Sequence, residues 1–297
     1  MKTNIDINII VTTDETFLVL LAALIKSIES NYQGDQVIHF FILADNISTV
    51  NKQKLEKSFN FHKIDIIWID LEGVSLKEYN FPIDFSSFPQ NIYMRLLIPY
   101  LIGDHINKIL YLDVDMLVLT DIRAIFEIDL GDNIVAAVVD PRVKLFANKW
   151  GGILNYKLLG LSGDLPYFNS GLLMIDMQKW RNFEVTQKVV ECINHNKKYA
   201  QYPDQYGLNV VLPNQWKQID PMWNYFSDGT ESNPNIIHFI GRKPIYPSYK
   251  GNILFQELFF RYLSKTLWMN TPKATEWGRL IKKIENIFNK VFKTRFK

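Results

Sequence analysis

The sequence predicts an α/β protein with a mostly parallel sheet flanked by helices, and three observations support this. Short runs rich in Ile, Val and Phe alternate with segments whose apolar residues recur every three or four positions. That alternation of strand and helix is the pattern of a parallel sheet covered by helices. The 297 residues, 47% hydrophobic and 22% charged, supply an ample core for one large domain or two modest ones.

Each element follows in order. Residues 5–11 (IDINIIV) form the first strand, and 17–30, with apolar spacings of three and four, form the helix after it. Residues 39–43 form a second strand, Ser48 is placed to cap a helix running through 59, and 64–69 (IDIIWI) form a third strand. Residues 92–101 are expected to be helical, 108–112 a strand, and 134–139 (IVAAVV) another buried strand. From 141 to 168 the chain is irregular and aromatic, with Gly151, Gly152, Gly160 and Gly163, as expected of an insertion covering a substrate. A strand at 172–176 and a helix over 177–196 follow. Without a repeat, a low-complexity segment or a linker, the expected organisation is one domain over 1–270 and a tail over 271–297.

Composition sets bounds on function. Cys192 is the single cysteine, so the chain forms no internal disulfide and no cysteine metal cluster, which is compatible with a reducing cytoplasm. The longest apolar run, residues 17–25, is about half the length of a membrane span. Asp6, Asp14 and Glu15 interrupt the N-terminus where a signal peptide would be apolar. The expectation is a protein that neither carries a signal peptide nor spans a membrane. The net charge of +2 hides an asymmetry: residues 273–297 hold eight Lys and Arg against two Glu, leaving 25 against 29 Asp and Glu elsewhere. A slightly acidic body speaks against nucleic acid, and a basic tail points to an anionic surface.

The chemistry centres on Tyr111-Leu112-Asp113-Val114-Asp115-Met116-Leu117-Val118-Leu119. Two carboxylates one residue apart in an apolar run repel each other, and burying each without a partner costs several kcal/mol. Ligands of open α/β sheets bind where strands end. A Mg²⁺ or Mn²⁺ ion bound there, bridging to a diphosphate, would relieve the conflict. The plainer reading has one aspartate capping a turn and the other facing water.

Together with Phe168-Asn169-Ser170-Gly171 and His238-Phe239-Ile240-Gly241-Arg242-Lys243-Pro244, this stretch resembles glycosyltransferase family 8. That family includes bacterial lipopolysaccharide and lipooligosaccharide galactosyl- and glucosyltransferases, and glycogenin. The resemblance runs from about residue 7 to 244. It implies a GT-A type nucleotide-sugar-binding fold, a Mn²⁺-dependent UDP-sugar donor (Mg²⁺ as the alternative ion) and retention of anomeric configuration.

The resemblance also implies roles for residues. Asp113, Asp115 and His238 match the metal ligands, and Asp113 with Val114 would also lie near the donor sugar or ribose. Gly241 would let backbone approach a phosphate, and Lys243 would pair with the diphosphate. Thr12 and Thr13 would line the uridine, Asp14 would meet the uracil edge and Phe17 would stack on the base. Thr13 or Asp14 could equally cap the next helix, and both roles can hold. Arg95 matches an arginine reaching the donor sugar and phosphates. Asp140, Asn169, Asp204 and Gln205 match residues around the reacting carbon. A neutral Gln205 at the position where double displacement needs a carboxylate favours front-face displacement, with Asp204 as the alternative nucleophile. Thr16, where many relatives have asparagine, Ile245, where tryptophan is frequent, and a spacing one residue shorter before Lys243 depart from the pattern.

The tail carries Trp277, Leu280, Ile281, Ile284, Ile287, Phe288, Val291 and Phe292 at helical spacing, flanked by Arg279, Lys282, Lys283, Lys290 and Lys293. This is the pattern of a basic amphipathic helix lying in an anionic bilayer interface, with a helix packed on its own domain as the alternative. The expected protein is a cytoplasmic hexosyltransferase on the inner face of the cytoplasmic membrane, acting on a glycan or glycolipid acceptor in surface-glycan synthesis. Alternatives are a metal-dependent nucleotidyltransferase and a nucleotide-sugar-binding protein without turnover.

Overall fold

The structure is a computed structural model describing residues 6–71, 81, 90–271, 274–278, 280–281 and 284–285. In chain order its elements are β1 (Ile7–Asp14), α1 (Leu18–Asn31), β2 (Ile38–Asp45), α2 (Thr49–Glu56) and β3 (Ile64–Asp70). A 3-10 stretch (Gln90–Leu97), α3 (Ile98–Leu101), β4 (Lys108–Leu112), β5 (Met116–Val118) and α4 (Arg123–Phe126) come next. They are followed by β6 (Val135–Val139), β7 (Phe168–Asp176), α5 (Met177–Asn182), α6 (Val185–His195), α7 (Pro203–Val211) and β8 (Trp216–Gln218). A 3-10 turn (Pro221–Asn224), β9 (Tyr225–Phe226), β10 (Ile236–His238) and α8 (Ile253–Leu263) complete the described elements.

The main sheet has the order β3-β2-β1-β4-β7-β6-β8, and a small sheet has the order β5-β10-β9. β3, β2, β1 and β4 run parallel, β7 is antiparallel to both its neighbours, and β8 is parallel to β6. Side-chain alternation along the strands separates two cores. Ile7, Ile9 and Val11 of β1 join α1, α8 and the small sheet on one face. Ile10, with Ile109 and Tyr111 of β4, joins the 3-10 stretch and α3, α5, α6 and α7 on the other. Leu18–Ile25 of α1 are all buried, each large side chain contributing about 1.5–3 kcal/mol relative to exposure.

The predicted architecture stands, while several boundaries differ for physical reasons. Residues 92–101 form a 3-10 stretch followed by one α-turn, with Pro99 in that turn's first positions. The helix expected over 177–196 is two helices, because Glu184 takes the left-handed conformation (φ 55°) between them. The strand expected at 172 starts at Phe168, which places Asn169, Ser170 and Gly171 inside it. The helix after Ser48 ends at Glu56 rather than 59. The small sheet, α7 and α8 were not foreseen.

Among the described residues no helix is long and apolar enough to cross a membrane. Residues 276–278, 280–281 and 284–285 have helical backbone, with Trp277, Leu280, Ile281 and Ile284 between 44% and 76% exposed. Glu276 accepts a hydrogen bond from Ser248. Arg279, Lys282, Lys283, Ile287, Phe288, Lys290, Val291, Phe292 and Lys293 lie outside the described residues.

Candidate active site

The site assembles where β4 ends. After Leu112 the chain leaves the main sheet through Asp113-Val114-Asp115 and enters the small sheet as β5. β10 pairs antiparallel with β5, setting His238 opposite Met116, while the Phe239 amide donates to the Asp115 carbonyl at 2.9 Å. The imidazole therefore arrives beside both carboxylates: Nε2 lies 3.3 Å from Asp115 Oδ1 and 3.8 Å from Asp113 Oδ2. One ligand atom from each of the three residues lies within 4.8 Å of the others.

Two carboxylates and a neutral imidazole are a donor set for Mg²⁺ or Mn²⁺, and the surroundings fit such an ion. Gly171 leaves the necessary room. A Cβ there would stand 2.5 Å from His238 Cε1 and 2.8 Å from Asp113 Oδ2. The other imidazole nitrogen, Nδ1, is 2.8 Å from Asn224 Oδ1, so Nε2 can keep its lone pair on the carboxylate side.

Buried charges around this cluster are matched. Tyr111 donates to Asp113 Oδ1 at 2.6 Å, and Arg95 Nη2 donates to the same oxygen at 3.0 Å. Arg95 Nη1 bonds the Ser170 carbonyl at 2.8 Å, and Nε lies 3.2 Å from Asp204 Oδ2. Burial opposes the charge of Arg95, yet Asp113, Tyr111 and Asp204 hold its pKa above the ordinary guanidinium value. Lys243 pairs with Asp115 Oδ2 and donates to the Phe239 carbonyl at 3.0 Å. Burial works against ionised Asp115, but Lys243 and His238 hold its carboxyl below the usual range. For Asp204, burial outweighs Arg95 and raises the pKa.

A second group adjoins the first through β7. Asp140 Oδ1 accepts from the amides of Arg142 (2.9 Å) and Val143 (3.0 Å). Its Oδ2 accepts from Asn169 Nδ2 at 3.0 Å and Gln205 Nε2 at 3.4 Å. Gln205 Oε1 accepts from the Ser170 amide at 3.0 Å and from Asn169 Nδ2 at 3.2 Å. Both oxygens of Asp140 are thus engaged, one by two backbone amides and the other by the side-chain amides of Asn169 and Gln205.

At the end of β1, Asp14 accepts the Thr16 amide at 2.8 Å and so caps the next turn, one of its two expected roles. Thr12 Oγ1 is buried with no hydrogen-bond partner among the described residues. Thr13 is 1% exposed and its hydroxyl donates to the Asp14 carbonyl. Phe17 and Val114 are half-buried against the core, and Gly241 holds φ +78°, a conformation that favours glycine.

Comparison with known proteins supplies the lineage. The sequence profile of Glycosyl transferase family 8 matches residues 8–244. The chain belongs to that family. Family 8 relatives include General stress protein A of Bacillus subtilis, 27% identical over 88% of this chain and 94% of that protein. The lipopolysaccharide 1,2-glucosyltransferase of Escherichia coli K12 is 29% identical over 54% of this chain and 52% of its own length. The chain spans 63% of a putative glycosyltransferase from Haemophilus influenzae and 61% of Streptococcus pneumoniae GlyB. In three dimensions it is similar to the galactosyltransferase LgtC, solved with donor and acceptor sugar analogs. The TM-score is 0.73 at 24% identity, over 88% of this chain and 96% of that one. The fold is therefore the GT-A type, and family membership favours a glycosyltransferase over a nucleotidyltransferase.

Among the expected site residues, Asp113, Asp115, His238, Lys243, Arg95, Asp204, Asn169, Gln205 and Asp140 form one connected polar cluster. Thr12, Thr13, Asp14 and Phe17 lie on the adjoining strand end. Three residues without an assigned role belong to the cluster: Tyr111, Ser170 and Asn224. The first two lie within the motifs at 111–119 and 168–171. Asn224 lies in the segment 222–232, expected at the acceptor side, with nothing in the sequence to single it out.

Proposed function

We propose that this family 8 enzyme transfers galactose or glucose from a UDP-sugar to a glycan or lipid-linked acceptor, with retention of configuration and with Mn²⁺ or Mg²⁺ held by Asp113, Asp115 and His238. The observation that carries the reading is the convergence of those three ligands beside Arg95 and Lys243 at a strand's carboxyl end. A bound divalent ion would polarise the diphosphate and offset charge on departing UDP. Lys243 adds a second positive charge at the same place.

In the front-face reaction the acceptor oxygen bonds to the anomeric carbon on the side from which the UDP oxygen leaves. The acceptor proton passes to the departing phosphate. Gln205, its carbonyl held by the Ser170 amide, would orient the sugar at that carbon. Asp204 is 7% exposed and engaged by Arg95, which suits a charge partner better than an attacking carboxylate. Acceptor recognition is assigned to the irregular segment 141–168 and to the exposed end, 228–232, of the segment 222–232. The exposed Trp277, Leu280, Ile281 and Ile284 support association of the tail with the inner face of the cytoplasmic membrane.

The test incubates the full chain with Mn²⁺ and a panel of nucleotide sugars and measures the products. Release of UDP from a UDP-hexose is expected. Pyrophosphate as product would mean nucleotidyl transfer, and tight donor binding without any product would mean a binding protein.

A further inference from the structure

Asn224 ends the 3-10 turn before β9 and is fully buried. A buried amide needs partners for both its ends, and the identity of those partners fixes its orientation. Here the orientation can be traced from groups whose polarity is not in question. The Gly171 amide is only a donor, and it lies 3.0 Å from one side-chain atom of Asn169, which must be the oxygen. The other end of Asn169 then offers its NH₂ to Oδ2 of Asp140 at 3.0 Å. Asn169 Oδ1 also faces Asn224 at 2.9 Å, so Asn224 must present its NH₂ there and its oxygen to the other side. That oxygen lies 2.8 Å from His238 Nδ1, which must therefore carry a proton.

We infer that Asn224 is a positioning residue that holds the proton of His238 on Nδ1 and so keeps Nε2 free to ligate a divalent cation. The inference rests on the proposed metal site. A neutral imidazole otherwise chooses its tautomer by its surroundings, and Asp115 Oδ1, 3.3 Å from Nε2, would draw the proton to that nitrogen. A protonated Nε2 cannot bind a metal. The Gly171–Asn169–Asn224 relay removes that choice, linking the polarity of the sugar-side amides to the readiness of the metal ligand. The family motif around Asn169 thereby acts on His238 through a residue outside it.

The test compares the full chain with Asn224→Leu, which cannot accept, and Asn224→Asp, which keeps an acceptor in the same place. Binding of Mn²⁺ is followed by the paramagnetic resonance of the free ion, with Asp115→Asn as the variant that lacks a ligand. Loss of an outer partner of a metal-bound histidine costs about tenfold to a hundredfold in affinity, and that weakening is expected for Asn224→Leu. Asn224→Asp should stay within about threefold of the parent chain, one carboxyl oxygen accepting from Nδ1 of His238 and the other, protonated, donating to Asn169 Oδ1. Nitrogen-15 spectra of histidine-labelled parent protein should show a slowly exchanging Nδ1 proton on His238, and Asn224→Leu should lose it. Should Asn224→Leu fail to fold, the parent spectrum and Asn224→Asp still decide. The inference is overturned if His238 carries a bare Nδ1, if Asn224→Leu binds Mn²⁺ as the parent does while Asp115→Asn does not, or if Asn224→Asp binds as weakly as Asp115→Asn. Absence of Mn²⁺ binding by the parent chain would instead remove the metal site itself, and the inference with it.

Discussion

Nη2 of Arg95 stands 3.0 Å from Oδ1 of Asp113, while Nε of the same side chain lies 3.2 Å from Oδ2 of Asp204. One cation therefore holds the metal-side and sugar-side carboxylates together. Arg95 and Asp204 are buried and Asp113 is half-buried, so removing the cation leaves two carboxylates without their positive partner. Arg95→Leu is expected to destabilise the fold by about 3–5 kcal/mol, the cost of breaking a buried pair. Urea denaturation followed by circular dichroism measures it, and a loss below about 1 kcal/mol would show the pairs to be dispensable.

Asp113→Asn and Asp115→Asn should each reduce UDP-sugar turnover by orders of magnitude; the amide keeps the shape of the carboxylate, and the stability lost with the Arg95 or Lys243 pair is read separately by urea denaturation. The affinity for UDP should also cease to respond to Mn²⁺, as measured by titration calorimetry. Near-normal turnover of either variant in the presence of EDTA would remove the ion from the reaction.

Gln205→Ala should slow transfer by about tenfold to a thousandfold, the loss of one charge-stabilising or orienting contact. Asp204→Asn should leave the product anomer unchanged in the proton spectrum and trap no sugar on the protein. A covalent adduct on Asp204 in the intact mass would establish double displacement instead.

Burial pushes the Cys192 thiol up to about 11. Alkylation of the native protein at pH 8 is therefore expected to be slow and to accelerate about tenfold per pH unit toward that value, because only the thiolate reacts. Unfolding in urea should abolish the delay. Equal rates for native and unfolded protein at pH 8 would contradict the shift.

Cutting the chain after Asn270 should release the protein from phosphatidylglycerol vesicles in a sedimentation assay while preserving turnover of a soluble acceptor. Changing Lys282, Lys283, Lys290 and Lys293 to Gln should weaken binding similarly, each lysine contributing about 1 kcal/mol near an anionic surface. Unchanged sedimentation of the truncated protein would refute the assignment. Unfolding on truncation would mean that the apolar face packs on the domain.

Legibility in the sequence followed the range of the physics involved. The parallel strands could be read because each is a local apolar run, and Asp113 and Asp115 stood out because charge conflicts with that setting. His238 became meaningful only through the family motif, since its role depends on β5 and β10 pairing across the chain. Asn224 could not be found, because an amide's value lies in burial and in the polarity of neighbours that no local pattern encodes. The break at Glu184 escaped notice for a related reason: the apolar spacing continues through it, while a single left-handed residue redirects the backbone. Asn169 was expected beside the reacting carbon but not inside a strand, because polar residues mask the apolar signature at the start of β7.

Lys243 and Asp115 meet across 128 residues of chain. During synthesis the ribosome delivers β1, β2, β3 and β4 long before β10, so the large sheet can begin to order while its carboxylates still face water. The cleft acquires its third ligand and its lysine only when the last strand of the small sheet slots beside β5. A nascent chain stalled before His238 would thus lack one of the three proposed ligands and the lysine, so that full competence to hold a divalent ion is expected only as the last strand of the small sheet joins.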